Sequence, residues 1–289
     1  MAGAFGATPV STKPPQRLVP RGGIQKYIVN VLFSFCLHFL SEQAALMLAS
    51  CGETSMKVNT LDTAVNEALM VGREDSLHVV ISLEYPVANI SDEARTAICD
   101  SISMIAFGQD YAGLDLKEAA GKWSADYVRT YHNECEETLK LYEGNGDIPM
   151  SSELNRERYK TGYFTETYKN IASYTYEEYF YEGGAHGSTV ETALNFDLKS
   201  GKVITEAEFF KPGYEEKLAE ALTAHLREAV PDQESYDTMF THEIKPNGNF
   251  TVSEQGVTYI YNQYEIAPYS MGAIHVSVPW DEIRDLIRE

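Results

Sequence analysis

Familiar catalytic motifs are scarce in this chain of 289 residues. It contains no Gly-x-Ser-x-Gly elbow, no P-loop and no dinucleotide-binding fingerprint, so serine hydrolysis, phosphate cradling and nicotinamide chemistry lack their sequence context. Seven histidines and four cysteines include no His-x-x-x-His and no Cys-x-x-Cys, which leaves zinc without a recognisable ligand set. Basic residues are few: 23 Lys and Arg stand against 43 Asp and Glu. Beyond residue 51 no apolar run approaches the roughly 20 residues that a membrane-spanning helix needs.

What is present is enough to build a sizeable core, since 44% of the residues are hydrophobic. The first 51 residues hold four of the basic residues and only one acidic one, leaving 19 against 42 and a net charge of −23 in the remainder. Such a field repels nucleic acid and anionic lipid and draws cationic partners toward the surface. No cofactor and no nucleic acid partner is expected.

The N-terminal segment points to a compartment. The apolar run YIVNVLFSFCLHFL over residues 27–40 follows Arg21 and Lys26, and Leu48-Ala49-Ser50-Cys51 matches the lipobox of bacterial lipoprotein signals. Residues 1–51 are read as a leader and lipoprotein-type signal with Cys51 lipidated, which places the mature chain outside the cytoplasm on an outer-membrane lipid anchor. Cys99 and Cys135 then remain, and in an oxidising periplasm they either pair or stay as buried thiols.

The mature chain reads as α+β, antiparallel sheets with packed helices in two tandem or intertwined subdomains. Residues 52–66 are assigned to a linker, 67–181 to an N-terminal α+β domain and 182–289 to a C-terminal α+β domain. Leu77 to Pro86 has strand character, and Ser91 opens a helix that Gly108 ends. Asp115 caps a longer helix with an apolar stripe of Ala119, Trp123, Tyr127, Tyr131, Cys135, Leu139 and Tyr142. Gly162 to Tyr181 forms two strands about Asn170, and a third begins near His186 and runs to Asn195. Thr205 and Glu208 make a capping box, and Pro212 to Ala229 an amphipathic helix. Asn249 to Ser253, Val257 to Tyr261 and Ala273 to Val278 complete the strands, followed by a terminal helix from Asp281.

His186, in the turn Gly183-Gly184-Ala185-His186-Gly187, is the one candidate for catalysis, with Glu178 and Glu182 upstream as carboxylate partners. The plainer reading is a structural histidine in a glycine turn. His132 and Glu136 share a helix face one turn apart, a common surface pattern. The tyrosines crowded around this region, from Tyr174 to Tyr181 and from Tyr259 to Tyr269, form either a recognition surface or a sheet core.

The Gly183–Gly187 turn, residues 195–205, Tyr261 through Tyr264, Pro268, Tyr269 and Gly272, and Val278 through Ile283 together resemble the domain of unknown function in the extracellular half of the RsiV anti-sigma factor, which also occurs beside PdaC-type deacetylase modules. The segment from Met56 to Tyr181 resembles its usual preceding partner domain. The resemblance implies an extracytoplasmic α+β module, and in the anti-sigma factor that module binds lysozyme, a basic protein. This sequence departs from the resemblance in showing neither a sigma-binding segment with a spanning helix nor deacetylase metal ligands, which puts both of those activities in doubt. The expectation is a non-catalytic envelope lipoprotein of a Gram-negative bacterium that binds a cationic protein or a peptidoglycan fragment. The competing expectation is an envelope glycan hydrolase or a deacetylase-associated enzyme using His186 and nearby carboxylates.

Overall fold

The computed structural model describes residues 55–288, and the leader, the lipobox and Cys51 lie outside them. The α+β class holds, with one sheet of five strands and one of three. In the first, β1 (Lys57–Ala68) pairs antiparallel with β2 (Ser76–Ala88), β2 runs parallel to β3 (Arg156–Tyr168), and β3, β4 (Ile171–Tyr181) and β5 (Ser188–Asp197) follow antiparallel. The parallel step requires a crossover, and two helices supply it: α1 (Asp92–Phe107) and the 30-residue α2 (Leu116–Asn145). Ser91 caps α1 by accepting from the Ala94 N–H, and Asp115 caps α2 by accepting from the Glu118 N–H at 2.9 Å.

Both helices cover one face of the sheet. Leu77, Val79, Ile81 and Leu83 alternate inward from β2 and meet Ile98 and Ile102 of α1 and Ala119, Tyr131 and Cys135 of α2. Beneath the half-buried Trp123 and Tyr127 of α2 lies a charged knot. Lys160 of β3, only 4% exposed, reaches Glu178 of β4 at 2.6 Å with its ammonium 4.4 Å from the Trp123 ring centroid. Burial pulls that ammonium below its ordinary value. Arg158 beside it holds Glu178 at 3.0 Å and Glu182 at 2.7 Å and packs over the Tyr127 and Phe180 rings.

The second core lies beyond Thr205. After α3 (Ser151–Leu154), which leads into β3, the next helical segments are α4 (Glu206–Phe209), α5 (Glu215–His225) and α6 (Gln233–Asp237). They are followed by the antiparallel β6 (Phe250–Val252), β7 (Gly256–Tyr261) and β8 (Ile274–Pro279), then by the single turn α7 (Trp280–Ile283). Phe209, Phe210, Leu218, Leu222, Phe250, Tyr259, Val276 and Trp280 fill it. The Thr205 capping box is present, with Glu208 accepting from both the backbone N–H and the hydroxyl of Thr205.

The sheets meet at a polar seam. Ser173 Oγ of β4 lies 2.7 Å from Asn195 Oδ1 and 3.0 Å from the Val252 carbonyl, and accepts from the Val252 N–H at 2.8 Å. The outer edge of β5 is closed by side-chain amides instead of a strand: Gln263, Asn262 and Asn249 accept from the N–H groups of Thr189, Glu191 and Ala193. Satisfying edge donors in this way blunts an otherwise adhesive strand.

Several expectations are corrected. Residues 57–66, assigned to a linker, are most of β1, because Leu61 and Val65 pack on the first core and the strand pairs with β2 along its whole length. The boundary at 181/182 separates β4 from β5, which are hydrogen-bonded neighbours; the change of core falls after β5 instead. The terminal helix is one turn, Trp280–Ile283. Cys99 and Cys135 are free thiols on different helices, with Cys135 donating to the Leu154 carbonyl at 3.6 Å, and burial pushes both thiols up.

Candidate functional site

The three-stranded sheet covers the face opposite α1 and α2 over Ser173 and Asn195, while the part around Glu177 and Tyr163 is only half-buried, and its side chains follow from the register. Tyr159 lies opposite Tyr179, Thr161 opposite Glu177 and Tyr163 opposite Thr175, while Glu177 faces Glu191 across the β4–β5 pair. Two carboxylates directly opposite one another in a sheet oppose folding. Neither has a Lys or Arg partner among the described residues. Burial and then the Glu191 charge hold the Glu177 carboxyl above its ordinary value, with His275 acting in the other direction.

His275 reaches in from β8, its Nε2 lying 2.8 Å from Glu191 Oε2. That hydrogen bond is the main reason the imidazolium is held above its ordinary value. The Glu191 backbone is pinned as well: its N–H donates to Asn262 Oδ1 and its carbonyl accepts from Asn249 and Asn262 Nδ2. Tyr163, 38% exposed, is raised by burial first and then by the Glu177 and Glu191 charges. Tyr159 and Tyr179 stack with centroids 5.3 Å apart.

The glycine turn borders this face. Gly183 and Gly184 take φ of 90° and 98°, a region closed to most side chains, so the turn between β4 and β5 needs both. The Gly184 N–H donates to the Ser152 carbonyl, and the Tyr181 hydroxyl sits between the Ser152 and Gly184 carbonyls. His186 is exposed; its ring stacks on Tyr269 with centroids 4.1 Å apart, and its Nδ1 lies 2.9 Å from the Gly187 carbonyl. The Tyr269 hydroxyl donates to that same carbonyl at 2.7 Å. Pro268 precedes the 3-10 turn Tyr269–Met271 and Gly272 closes it. Tyr264, with φ of 67° and 57% exposure, leans on Tyr269. A bulky side chain at positive φ is strained, and such strain collects at binding surfaces.

The structure groups the signature residues Gly183, Gly184, His186, Tyr264, Pro268, Tyr269 and Gly272 around one turn, but it divides the tyrosines: Tyr174 and Tyr176 are buried in the first core and Tyr259 and Tyr261 in the second. It does not bring His186 to its expected carboxylates, since Glu178 and Glu182 are both held by Arg158. His132 and Glu136 also part: His132 hydrogen-bonds Glu67 of β1 at 3.1 Å and Glu136 turns to Lys140. Among the described residues no group of three or more His, Cys, Asp or Glu is placed to hold a metal ion, and no helix is long and apolar enough to cross a membrane. Sequence reasoning missed Glu177, Glu191 and His275. A glutamate in mid-strand was the available signal, but only the register makes the two a pair.

The fold is that of a two-core α+β protein, and comparison with known proteins narrows it. Residues 207–281, most of the second core, match the model of a family described as a protein of unknown function, DUF3298. The chain is 22% identical over 150 residues to the peptidoglycan-N-acetylmuramic acid deacetylase PdaC of Bacillus subtilis, covering 50% of this chain and 32% of that protein. The chain thus matches about a third of the length of this curated relative. A DUF3298-family crystal structure from Bacteroides fragilis superposes with a TM-score of 0.73 at 22% identity, covering 82% of this chain and 95% of the other. A second, from Pseudomonas aeruginosa PAO1, gives 0.59 at 18% identity, with coverage of 82% and 96%. These likenesses extend the fold across both cores.

Proposed function

We propose that this chain is a non-catalytic cell-envelope binding protein, tethered by lipid on Cys51, whose half-exposed patch around Glu177 takes up a cationic protein of the lysozyme kind. The observation that carries this reading is the facing pair Glu177 and Glu191. A folded protein gains nothing from two opposed carboxylates with no Lys or Arg between them, whereas a Lys or Arg side chain supplied by a partner relieves their repulsion and lowers the raised Glu177. Tyr159, Tyr163, Tyr179 and Tyr264 around them supply large contact area at low entropic cost. The net charge of −20 favours the same class of partner by steering its approach.

The hydrolase alternative loses its acid–base pair in the geometry of His186, which leans on Tyr269 and a backbone carbonyl. A cell-wall glycan on the same tyrosine face is a second reading, favoured by the similarity to a peptidoglycan deacetylase. A pull-down with hen lysozyme at low and at high salt, in the presence and absence of soluble peptidoglycan fragments, tests both. Capture at low salt, lost at high salt and indifferent to the fragments, is the expected result; no capture at low salt defeats the electrostatic reading, and competition by the fragments favours the glycan.

A further inference from the structure

The two edges of the five-stranded sheet are treated differently. Side-chain amides occupy the β5 edge, but along the outer edge of β1 no strand and no side-chain cap occurs among the described residues. β1 is 12 residues long, against about 5–6 for an ordinary strand, and contains no proline. Its register irregularity is confined to Lys57 and Val58, at the very start. Apart from the charges of Lys57, Asp62 and Glu67, the devices that normally blunt an edge are not found along it among the described residues.

A second observation falls at the same edge. A cavity of about 750 Å³ lies between β1, β2 and the N-terminal ends of α1 and α2, and Thr60, Leu61 and Asp62 of β1 line it. Leu61 and Tyr85 form its apolar floor and Leu114 a wall. Arg95, Asp100, Asp115 and Lys117 stand around it, and Arg95 is already paired with Asp92 at 2.8 Å. With Lys57, Asp62 and Glu67 on the strand itself, four carboxylates stand against three cations around the slot.

We infer that β1 and this cleft form a docking slot for an extended, basic segment of a partner protein, which adds to the sheet as a sixth strand and places an apolar side chain against Leu61 and Tyr85. Main-chain hydrogen bonds to the free edge supply affinity, while the cleft and its carboxylates select the side chains. The basic character follows from the local excess of carboxylates and from the net charge of −20, which also opposes two copies of this chain meeting edge to edge. The slot lies at the opposite sheet edge from the β5 side of the tyrosine face and does not depend on the function proposed for that face.

Amide hydrogen exchange of the chain, read with an alternating Lys-Val decapeptide and with its Glu-Val counterpart, tests the slot. The Lys-Val peptide should slow exchange of the outward N–H groups of residues 57–68 by at least about tenfold, in wild type and in E177Q alike. The exposed substitution Asp100→Lys, on the outer surface of α1, should weaken that effect severalfold with the fold intact. No protection of β1, equal protection by the Glu-Val peptide, or protection of β1 by dimerisation without any peptide would each overturn the inference.

Discussion

Replacing Glu177 by Gln should make the protein more stable and a poorer binder at once. Glu177 and Glu191 are register partners, and side chains so placed have Cβ atoms about 5 Å apart. Two unit charges at about 5 Å repel by about 3 kcal/mol at an effective dielectric of about 20. Glu177 is only half-buried and His275 partly neutralises Glu191, so solvent screening reduces this to about 0.5–1 kcal/mol. For a chain of this size that is a rise in Tm of about 1–4 °C. The sign depends on pH. Because the Glu177 carboxyl is held above its ordinary value, its ionisation costs stability as pH rises through the raised value and costs nothing once it is protonated. Calorimetry of wild type and E177Q at pH 8.5 should therefore show the gain, and at pH 4 the two proteins should melt together. A variant less stable at pH 8.5, or a difference of equal size at both pH values, would refute the reasoning.

Ser173→Ala removes the hydroxyl at the seam between the sheets and leaves the buried Val252 N–H without its acceptor, so denaturant unfolding should show a loss of about 1–3 kcal/mol. Gly201→Ala puts a Cβ 2.3 Å from the Ala94 carbonyl oxygen at φ of 72°, and a destabilisation above about 2 kcal/mol is expected in the same assay; a neutral result would mean that the 197–202 turn is free to shift away from α1. His275 is held above its ordinary value by Glu191, so its contribution is full below that ordinary value and lost as pH rises through the raised one; H275Q should cost stability near pH 6 and nothing near pH 9, as thermal melts at the two pH values will show. His186→Ala, which removes a ring stacked on Tyr269 and no acid–base partner, should leave lysozyme capture within a few-fold of wild type, whereas Tyr264→Ala should weaken it by about tenfold or more.

Most of the local fold could be read from residue order. Ser91, Asp115, Thr205 and the Gly183–Gly184 pair act within a few residues of themselves, and each stands where local chemistry places it. β1 was hidden because KVNTLDTAVNEA is half polar, and it becomes a strand only by pairing with the apolar β2. The domain boundary was misplaced for a related reason: a glycine turn reads as a break, although the strands on either side of it pair. The site followed the same division. Gly183, His186 and Tyr269 were legible as a group, but the partners of a titratable side chain were not. Arg158 takes Glu178 and Glu182 away from His186, while Glu177, Glu191 and His275 come together from three strands separated by up to 98 residues of chain, the distance from 177 to 275.

Titration calorimetry of hen lysozyme into wild type and into the double variant E177Q/E191Q, at low and at high salt, tests the central claim most directly. The account predicts that the wild type binds at low salt, that salt weakens it, and that the double variant, still folded, loses at least about tenfold in Kd. Equal binding by wild type and variant would contradict it.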